Sequence, residues 1–125
     1  MTTASTNVMP AASGRGRLIT LWTLSGLVAF AFVAAGSSKL AGAAAMVEVF
    51  DKVGFGQWFR YFTGLLEVAA GIGLLVSRYA YYAAILLAIV MVGAIIAHLT
   101  VLGSSPAAPV ILLVLSGIIA YLRKP

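Results

Sequence analysis

The chain has 125 residues, of which 62% are hydrophobic and 9% are charged, with a net charge of +5. Soluble domains carry about 25% charged residues, so this composition excludes a water-soluble globule and predicts a protein of the lipid bilayer. The eight basic residues lie singly or in pairs at the ends of apolar runs. This argues against a nucleic-acid partner, because such binding needs a clustered basic face. Cysteine is absent and there is a single histidine, which excludes disulfides and thiolate chemistry.

Four apolar runs are long enough to cross a bilayer, whose apolar core of about 30 Å needs roughly 17–25 helical residues. They cover residues 18–35, 58–76, 79–102 and 106–122. Only Ser77 and Arg78 separate the second run from the third, which predicts an antiparallel hairpin. The sequence therefore predicts an all-α integral membrane protein with a four-transmembrane-helix bundle over residues 18–122.

The segment before the first run, residues 1–17, is polar and rich in Ala, Ser and Thr, so we predict a disordered tail there. An alternative is that residues 18–35 form a signal peptide, since Val33 and Ala35 fit the positions before a cleavage site. The run is longer than the apolar region of a typical signal peptide. A membrane span is therefore the favoured interpretation.

The link between the first two runs is amphipathic over residues 40–53. At about 100° per residue, its apolar side chains share one helix face: Met46, Val49, Phe50 and Val53. Its charged side chains share the other: Glu48, Asp51 and Lys52. Such a helix either lies in the membrane surface as a lid on the bundle, or is a connecting helix packed on the bundle ends. Gly54 is placed to end it.

The positive charges indicate the orientation, because short cytoplasmic loops carry more Lys and Arg than loops on the other side. With the N-terminus inside, the inner side holds five of them: Arg15, Arg17, Arg78, Arg123 and Lys124. The outer side holds three: Lys39, Lys52 and Arg60. We therefore expect both termini in the cytoplasm.

Glu67 lies in the middle of the second run, where a charge costs roughly 2.5–3.5 kcal/mol on the insertion scale. It shares one helix face with Arg60, Thr63, Gly64 and Gly71. Small residues allow close helix approach in membranes, so this face is predicted to pack inside the bundle and to direct Glu67 away from lipid. Intramembrane acids are functional by default; the alternative is a structural acid that holds helices together.

Two further residues complete a candidate polar site with Glu67. Lys39 follows a Gly-Ser-Ser sequence just beyond the first run, where it either anchors the helix end at the interface or folds inward to pair with Glu67. His98 lies near the end of the third run, where it either joins hydrogen bonds inside the bundle or relays protons. We expect no metal there, because the chain offers His98 no partner ligands.

Several short motifs follow one another in the order and spacing of a known family. They are Gly36-Ser37-Ser38-Lys39-Leu40, Met46-Val47-Glu48-Val49-Phe50 with Val53-Gly54-Phe55, Gly64-Leu65-Leu66-Glu67 with Gly71-Ile72-Gly73-Leu74-Leu75, and Ala97-His98-Leu99. With these motifs the chain resembles the DoxX and DoxX-like membrane proteins over residues 18–122.

The resemblance implies a small four-helix protein of the bacterial cytoplasmic membrane and supports Lys39 and Glu67 as site residues. Some relatives are subunits of membrane oxidoreductases, including a thiosulfate:quinone enzyme, and an animal relative assists the assembly of nicotinic receptors. The absence of cysteine argues against direct sulfur chemistry on this chain.

We therefore expect the membrane subunit of an oxidoreductase or quinone-linked assembly, in which Glu67, Lys39 and His98 bind a quinone headgroup or pass its protons. On this hypothesis the chain is not an enzyme alone, and its partners are membrane or peripheral proteins or further copies of itself. The alternative is a scaffold or assembly factor without chemistry of its own. A third hypothesis, a small proton-coupled exporter, fits less well. The small multidrug resistance proteins carry their buried acid in the first helix, whereas here it lies in the second.

Overall fold

The computed structural model describes the backbone from Thr3 to Pro125 and the side chains from Gly14 onward. Over this part, the chain forms five α-helices and one π-helical turn. They are α1 (Thr3–Ala41), α2 (Ala44–Val53), α3 (Gln57–Gly73), α4 (Ala80–Ala97), the π-helical turn (His98–Leu102) and α5 (Ala107–Arg123). The predicted all-α fold class is confirmed.

The four longer helices close into a ring around a common core. α1 packs mainly on α3 and α4 mainly on α5, while contacts of α3 with α4 and of α1 with α5 complete the ring. Each helix or helix end contributes a fully buried apolar side chain to the centre: Phe32, Leu74, Leu87 and Ile119. The core is therefore shared by all four helices.

Within the described part of the chain, two helical segments are long and apolar enough to cross a bilayer: Gly14–Ala41 with 28 residues, and Ala80–Leu102 with 23 residues. α3 and α5 have 17 residues each, which corresponds to about 26 Å of helix. Large apolar side chains are exposed on the outer faces of the ring: Leu27, Phe30, Leu65, Ile72, Ile89, Ile96, Ile111 and Val114. An outer surface of this kind is suited to lipid rather than to water.

α1 differs most from its predicted bounds of 18–35, because it extends beyond them in both directions. Its backbone is helical from Thr3, through much of the segment predicted as a disordered tail, and the side chains before Gly14 lie outside the described residues. Extending an existing helix is easier than starting one, and alanine is the best helix former. At the other end, Gly42 (φ 74°) follows the helix. Lys39 therefore lies in the last turn of α1 rather than beyond it.

α2 is shorter than the predicted residues 40–53, and Gly54 ends it as predicted. The Gly54 φ is 85°, and its N–H donates to the Phe50 carbonyl oxygen at 3.2 Å. Phe50 is buried and the other apolar side chains of its face are half-buried, against α3, the π-helical turn and α1. Of the two interpretations of this segment, the contacts favour a connecting helix packed on the end of the bundle.

The remaining boundaries shift by a few residues. α3 ends at Gly73, before the predicted limit, and residues 74–79 form the tight turn of the antiparallel hairpin with α4. Glycines near the end of α3 make this early termination favourable, because glycine weakens a helix. The end of the predicted third span is the π-helical turn, which stops at Gly103 with a φ of 62°.

Candidate functional site

α1 and α3 cross at two glycines. A Cβ atom placed on Gly36 would lie 2.6 Å from the Gly64 carbonyl oxygen, and one placed on Gly64 would lie 2.9 Å from the Gly36 carbonyl oxygen. A Cβ atom on Gly71 would lie 3.3 Å from the Ala29 carbonyl oxygen. Residue numbers therefore rise along α3 as they fall along α1, and the helices are antiparallel. Their backbones touch at the crossing because no side chain separates them.

Lys39 and Glu67 meet beside this crossing. The Lys39 Nζ donates to Glu67 Oε1 at 2.8 Å, so the two side chains form an ion pair. Each residue lies one turn after the crossing glycine of its own helix, and helical side chains lean toward the N-terminus of their helix. In antiparallel helices these two directions converge. The Glu67 side chain is 2% exposed and that of Lys39 is 14% exposed. Lys39 therefore folds inward, as one alternative from the sequence predicts.

Arg60 is the second cation at this end of α3, and it is 5% exposed. Its Nε donates to Gln57 Oε1 at 2.7 Å, and its Nη1 donates to the Lys39 carbonyl oxygen. Its Cζ lies 4.3 Å from the centroid of the Tyr61 ring. The last carbonyls of a helix lack intrahelical partners and carry partial negative charge. Arg60 therefore caps the C-terminal end of α1.

Gln57 extends this network to α2. Its Nε2 donates to Asp51 Oδ1 at 2.8 Å and to the Val47 carbonyl oxygen at 3.1 Å. Its Oε1 accepts the hydrogen bond from Arg60. A series of hydrogen bonds thus leads from the exposed Asp51 carboxylate to Arg60 and on to the Lys39 carbonyl, and it connects α2, α3 and α1.

His98 lies in a different part of the molecule. Its Nδ1 is 2.7 Å from Ser104 Oγ, and this bond closes the π-helical turn onto the loop before α5. Together with side chains of α2, it lines a surface cavity of about 280 Å³. Among the residues with described side chains, no hydrogen bond or ion pair joins His98 to Lys39 or Glu67. The structure thus brings two of the three predicted site residues together and leaves His98 outside, because the end of α4 faces α2.

The model of the DoxX-like family matches residues 23–119, which include every residue of the network described above. The chain belongs to the DoxX-like family. It is a membrane protein of that family, as the motifs and the apolar outer surface indicate. No curated protein and no solved structure matches it significantly.

Two short motifs of this DoxX-like chain have a common structural role. Gly36-x-x-Lys39 on α1 and Gly64-x-x-Glu67 on α3 each supply one glycine of the helix crossing and one partner of the ion pair. The glycines allow the backbones to approach, and this approach brings the charged side chains within reach of each other. The two motifs therefore form a single structural unit.

Arg60 and Gln57 are the site residues of the DoxX-like chain that sequence reasoning missed. The sequence analysis placed Arg60 on the packing face of α3 and counted it among the positive charges of the outer side, but it predicted no partner for this residue. The spacing carries the missing signal, because Gln57, Arg60, Gly64 and Glu67 recur at helical intervals on one face of α3. A polar row on one face of an otherwise apolar helix indicates buried partners.

The site combines two positive groups, Lys39 and Arg60, with the negative Glu67. Glu67 Oε1 accepts from Lys39, whereas Oε2 has no hydrogen-bond partner among the described residues. A carboxylate accepts through both oxygens, so Oε2 is able to accept a further donor or carry a proton. Over the described residues, no group of three or more His, Asp or Glu side chains is placed to hold a metal ion.

Proposed function

We propose that this DoxX-like protein spans the membrane four times and is the membrane subunit of an oxidoreductase or quinone-linked assembly, with Lys39 and Glu67 as its polar site. One observation carries the proposal. A 2.8 Å ion pair is buried in an apolar bundle, and one oxygen of its carboxylate is without a partner among the described residues. The reaction class comes from the resemblance to DoxX proteins that are subunits of such assemblies. A partner protein supplies the redox centre, so the chain is not an enzyme alone.

Four spans require α3 and α5 to cross the bilayer beside α1 and α4. α3 is the difficult segment, since it carries Arg60 and Glu67, and a charge in mid-bilayer costs roughly 2.5–3.5 kcal/mol. The pairing of Glu67 with Lys39 and the capping of α1 by Arg60 keep both charges away from lipid. Short helices of this kind are accommodated by local thinning of the bilayer. These contacts support α3 as a span that depends on α1.

The distribution of basic residues supports cytoplasmic termini. The Arg17 Nη2 donates to the Leu122 carbonyl oxygen at 3.1 Å, so the start of the apolar part of α1 and the end of α5 lie at one end of the bundle. At the other end, Lys39 and Arg60 are engaged in the network, and Lys52 is the remaining exposed cation of the three counted there. The end with Arg17 holds five basic residues and the end with Lys39 holds three. This supports insertion in the bacterial cytoplasmic membrane with both termini inside.

The residues present fit a quinone headgroup, which is a flat apolar ring with carbonyl oxygens that take up protons on reduction. Lys39 would donate a hydrogen bond to such an oxygen, and Glu67 would hold or release a proton at Oε2. The hydrogen bonds through Arg60, Gln57 and Asp51 connect the backbone carbonyl of Lys39, next to this site, with the water-exposed surface of α2.

Quinone retention tests this proposal. The protein is purified in mild detergent from cells that contain quinone, and the bound quinone per protein is measured by mass spectrometry. Removing a hydrogen bond from a charged group costs about 1.5–3 kcal/mol, so Glu67→Gln and Lys39→Met should each reduce the retained quinone at least about tenfold. The matched control is Glu48→Gln, an exposed acid on α2, which should retain the wild-type amount. Equal amounts in wild type and both site variants would contradict the proposal.

A second candidate function is that of a scaffold or assembly factor, and the tight glycine crossing favours it. The crossing and the ion pair hold α1 against α3. This packing is sufficient to stabilise a surface on which a helix of a partner protein could bind, without any chemistry at the pair. The two candidates differ in what the charges must do. The double variant Lys39→Met/Glu67→Gln is expressed in cells that lack the protein. If the chain is a scaffold, the variant should restore both the abundance of the partner and the turnover per partner molecule. If it is a quinone-linked subunit, the variant should restore abundance but not turnover per partner molecule.

A further inference from the structure

We propose that Arg60 is the positioning residue of the Lys39–Glu67 site, and that α2 controls Arg60 through Gln57. The inference rests on the proposed function only in taking this ion pair as the polar site of a membrane protein. Its test needs no quinone and no partner protein.

The environment of Arg60 is the first step. The ion pairs formed by the described side chains are Lys39–Glu67 and Lys52–Glu48, so Arg60 has no carboxylate within ion-pair distance there. A buried charge must be stabilised by polar contacts. Those contacts are neutral ones, Gln57 Oε1 and the Lys39 carbonyl oxygen, with the Tyr61 ring on one face. These acceptors therefore determine where the guanidinium lies.

The second step is what Arg60 holds in place. Its Nη1 binds the backbone of Lys39, in the last turn of α1, and the chain leaves the helix directly afterwards at Gly42. A Cβ atom on Gly42 would lie 3.5 Å from Arg60 Nη1, so the guanidinium also lies against this turn. Helix ends fray when their carbonyls are uncapped. Fraying of this turn would move the Lys39 ammonium away from Glu67 and let water reach the carboxylate.

The third step is the connection to α2. A side-chain amide carries its oxygen and its NH₂ group on the same carbon, in one plane but pointing in different directions, so fixing one group also fixes the other. Because the Gln57 NH₂ group binds Asp51 and the Val47 carbonyl on α2, the Gln57 oxygen is directed toward Arg60. An undocked α2 would leave this amide free to turn. Docking of α2 therefore orients the acceptor that holds Arg60.

Together these steps mean that the position of α2 determines whether water or another molecule can reach the Glu67 carboxylate. A partner protein that binds α2 at the membrane surface and shifts it would release Gln57, then Arg60, and then the last turn of α1. The Lys39–Glu67 pair would become accessible while the bundle of longer helices stays intact.

Lysine labelling tests this inference, because Lys39 is half-buried whereas Lys124 is exposed at the end of the chain. The full-length protein in phospholipid vesicles is treated with a membrane-permeant amine reagent. The labelling rates of Lys39 and Lys124 are then measured by peptide mass spectrometry. The loss of a hydrogen bond to a charged group should raise the Lys39 to Lys124 ratio about tenfold in Gln57→Leu and Arg60→Gln. Arg60→Lys keeps a donor and should give an intermediate ratio.

A matched pair of surface variants separates positioning from general destabilisation. Asp51 and Glu48 are both exposed acids on α2, but only Asp51 hydrogen-bonds Gln57. Asp51→Ala should raise the Lys39 to Lys124 ratio about threefold, as for loss of one exposed hydrogen bond, while Glu48→Ala leaves it unchanged. A wild-type ratio in both Gln57→Leu and Asp51→Ala would overturn the inference, as would equal effects of Asp51→Ala and Glu48→Ala.

If Gln57→Leu fails to fold, the comparison of Asp51→Ala with Glu48→Ala decides alone. The two tests are independent. Quinone retention tests the proposed function, whereas the labelling rate of Lys39 tests the role of α2 and Arg60.

Discussion

Gly36 and Gly64 place the backbones of α1 and α3 in direct contact, and a Cβ atom on either glycine would lie within 3.0 Å of the other's carbonyl oxygen. This contact sets the separation of the two helices at the level where Lys39 reaches Glu67. The packing of the bundle and the geometry of its buried charges are therefore coupled at one crossing.

The first prediction concerns this crossing. Gly36→Ala would force the helices apart and should destabilise the protein by about 1–3 kcal/mol, the usual cost of overpacking. The measurement is unfolding by a denaturing detergent titrated into mild detergent. Gly93→Ala is the matched control, because a Cβ atom on Gly93 of α4 meets nothing within 4 Å. That change should be neutral or stabilising by about 0.5–1 kcal/mol. Equal effects of the two substitutions would show that the crossing is not tight.

The second prediction concerns the ion pair. Removing one partner of a buried pair costs about 3–5 kcal/mol because the other charge is left unpaired. Glu67→Gln and Lys39→Met should therefore each destabilise the protein more than the double variant does. A double-mutant cycle from unfolding titrations measures this coupling.

The surface pair Lys52–Glu48 provides the control for that cycle. Its atoms are 3.7 Å apart and both side chains are more than half exposed, so the coupling in the Lys52→Met/Glu48→Gln cycle should be close to zero. Strictly additive losses at Lys39 and Glu67 would show that the buried pair contributes nothing.

The third prediction concerns two buried hydroxyl groups. Ser25 on α1 and Ser116 on α5 are fully buried, and their Oγ atoms have no hydrogen-bond partner among the described residues. Such a group costs free energy that alanine avoids. Ser25→Ala and Ser116→Ala should each raise the free energy of unfolding, by about 1 kcal/mol. A clear loss of stability in both variants would show that these hydroxyls have partners in the membrane.

The fourth prediction concerns His98. Since its Nδ1 bonds Ser104 Oγ, His98→Ala should speed amide hydrogen exchange over residues 98–106. The exchange of α3 and the labelling of Lys39 should stay as in the wild type. His98→Asn places an amide near the same position and should restore part of the protection. Increased labelling of Lys39 in His98→Ala would place His98 in the polar site after all.

The helical architecture could be predicted from the sequence because the length of an apolar run follows directly from the order of the residues. The four apolar runs lie in α1, α3, α4 with its π-helical turn, and α5. The end of α1 was misplaced, since Gly36 resembles a helix terminator when its contact with Gly64 is unknown. Glycine in a helix has two opposite explanations, termination and close approach, and only tertiary contacts distinguish them.

The candidate site could be predicted from the sequence only in part. A lone acid in an apolar run must be paired or shielded, and this reasoning led to Glu67. For Lys39 it left two alternatives, an anchor at the membrane interface and a partner of Glu67. Arg60 was not recognised as a member of the site, because its partners are a backbone carbonyl and an amide oxygen rather than an acid. Every residue has a carbonyl, so a sequence gives no sign of which one is capped. His98 was grouped with Glu67 by chemistry alone, and the direction of the end of α4 separates them.

The ion pair also bears on biogenesis, because Lys39 and Glu67 are separated by 28 positions along the chain. During translation α1 leaves the ribosome before the more polar α3. The ammonium group that pairs with Glu67 in the folded protein is therefore made before the carboxylate. The order of synthesis thus supplies the counter-ion that a later helix needs.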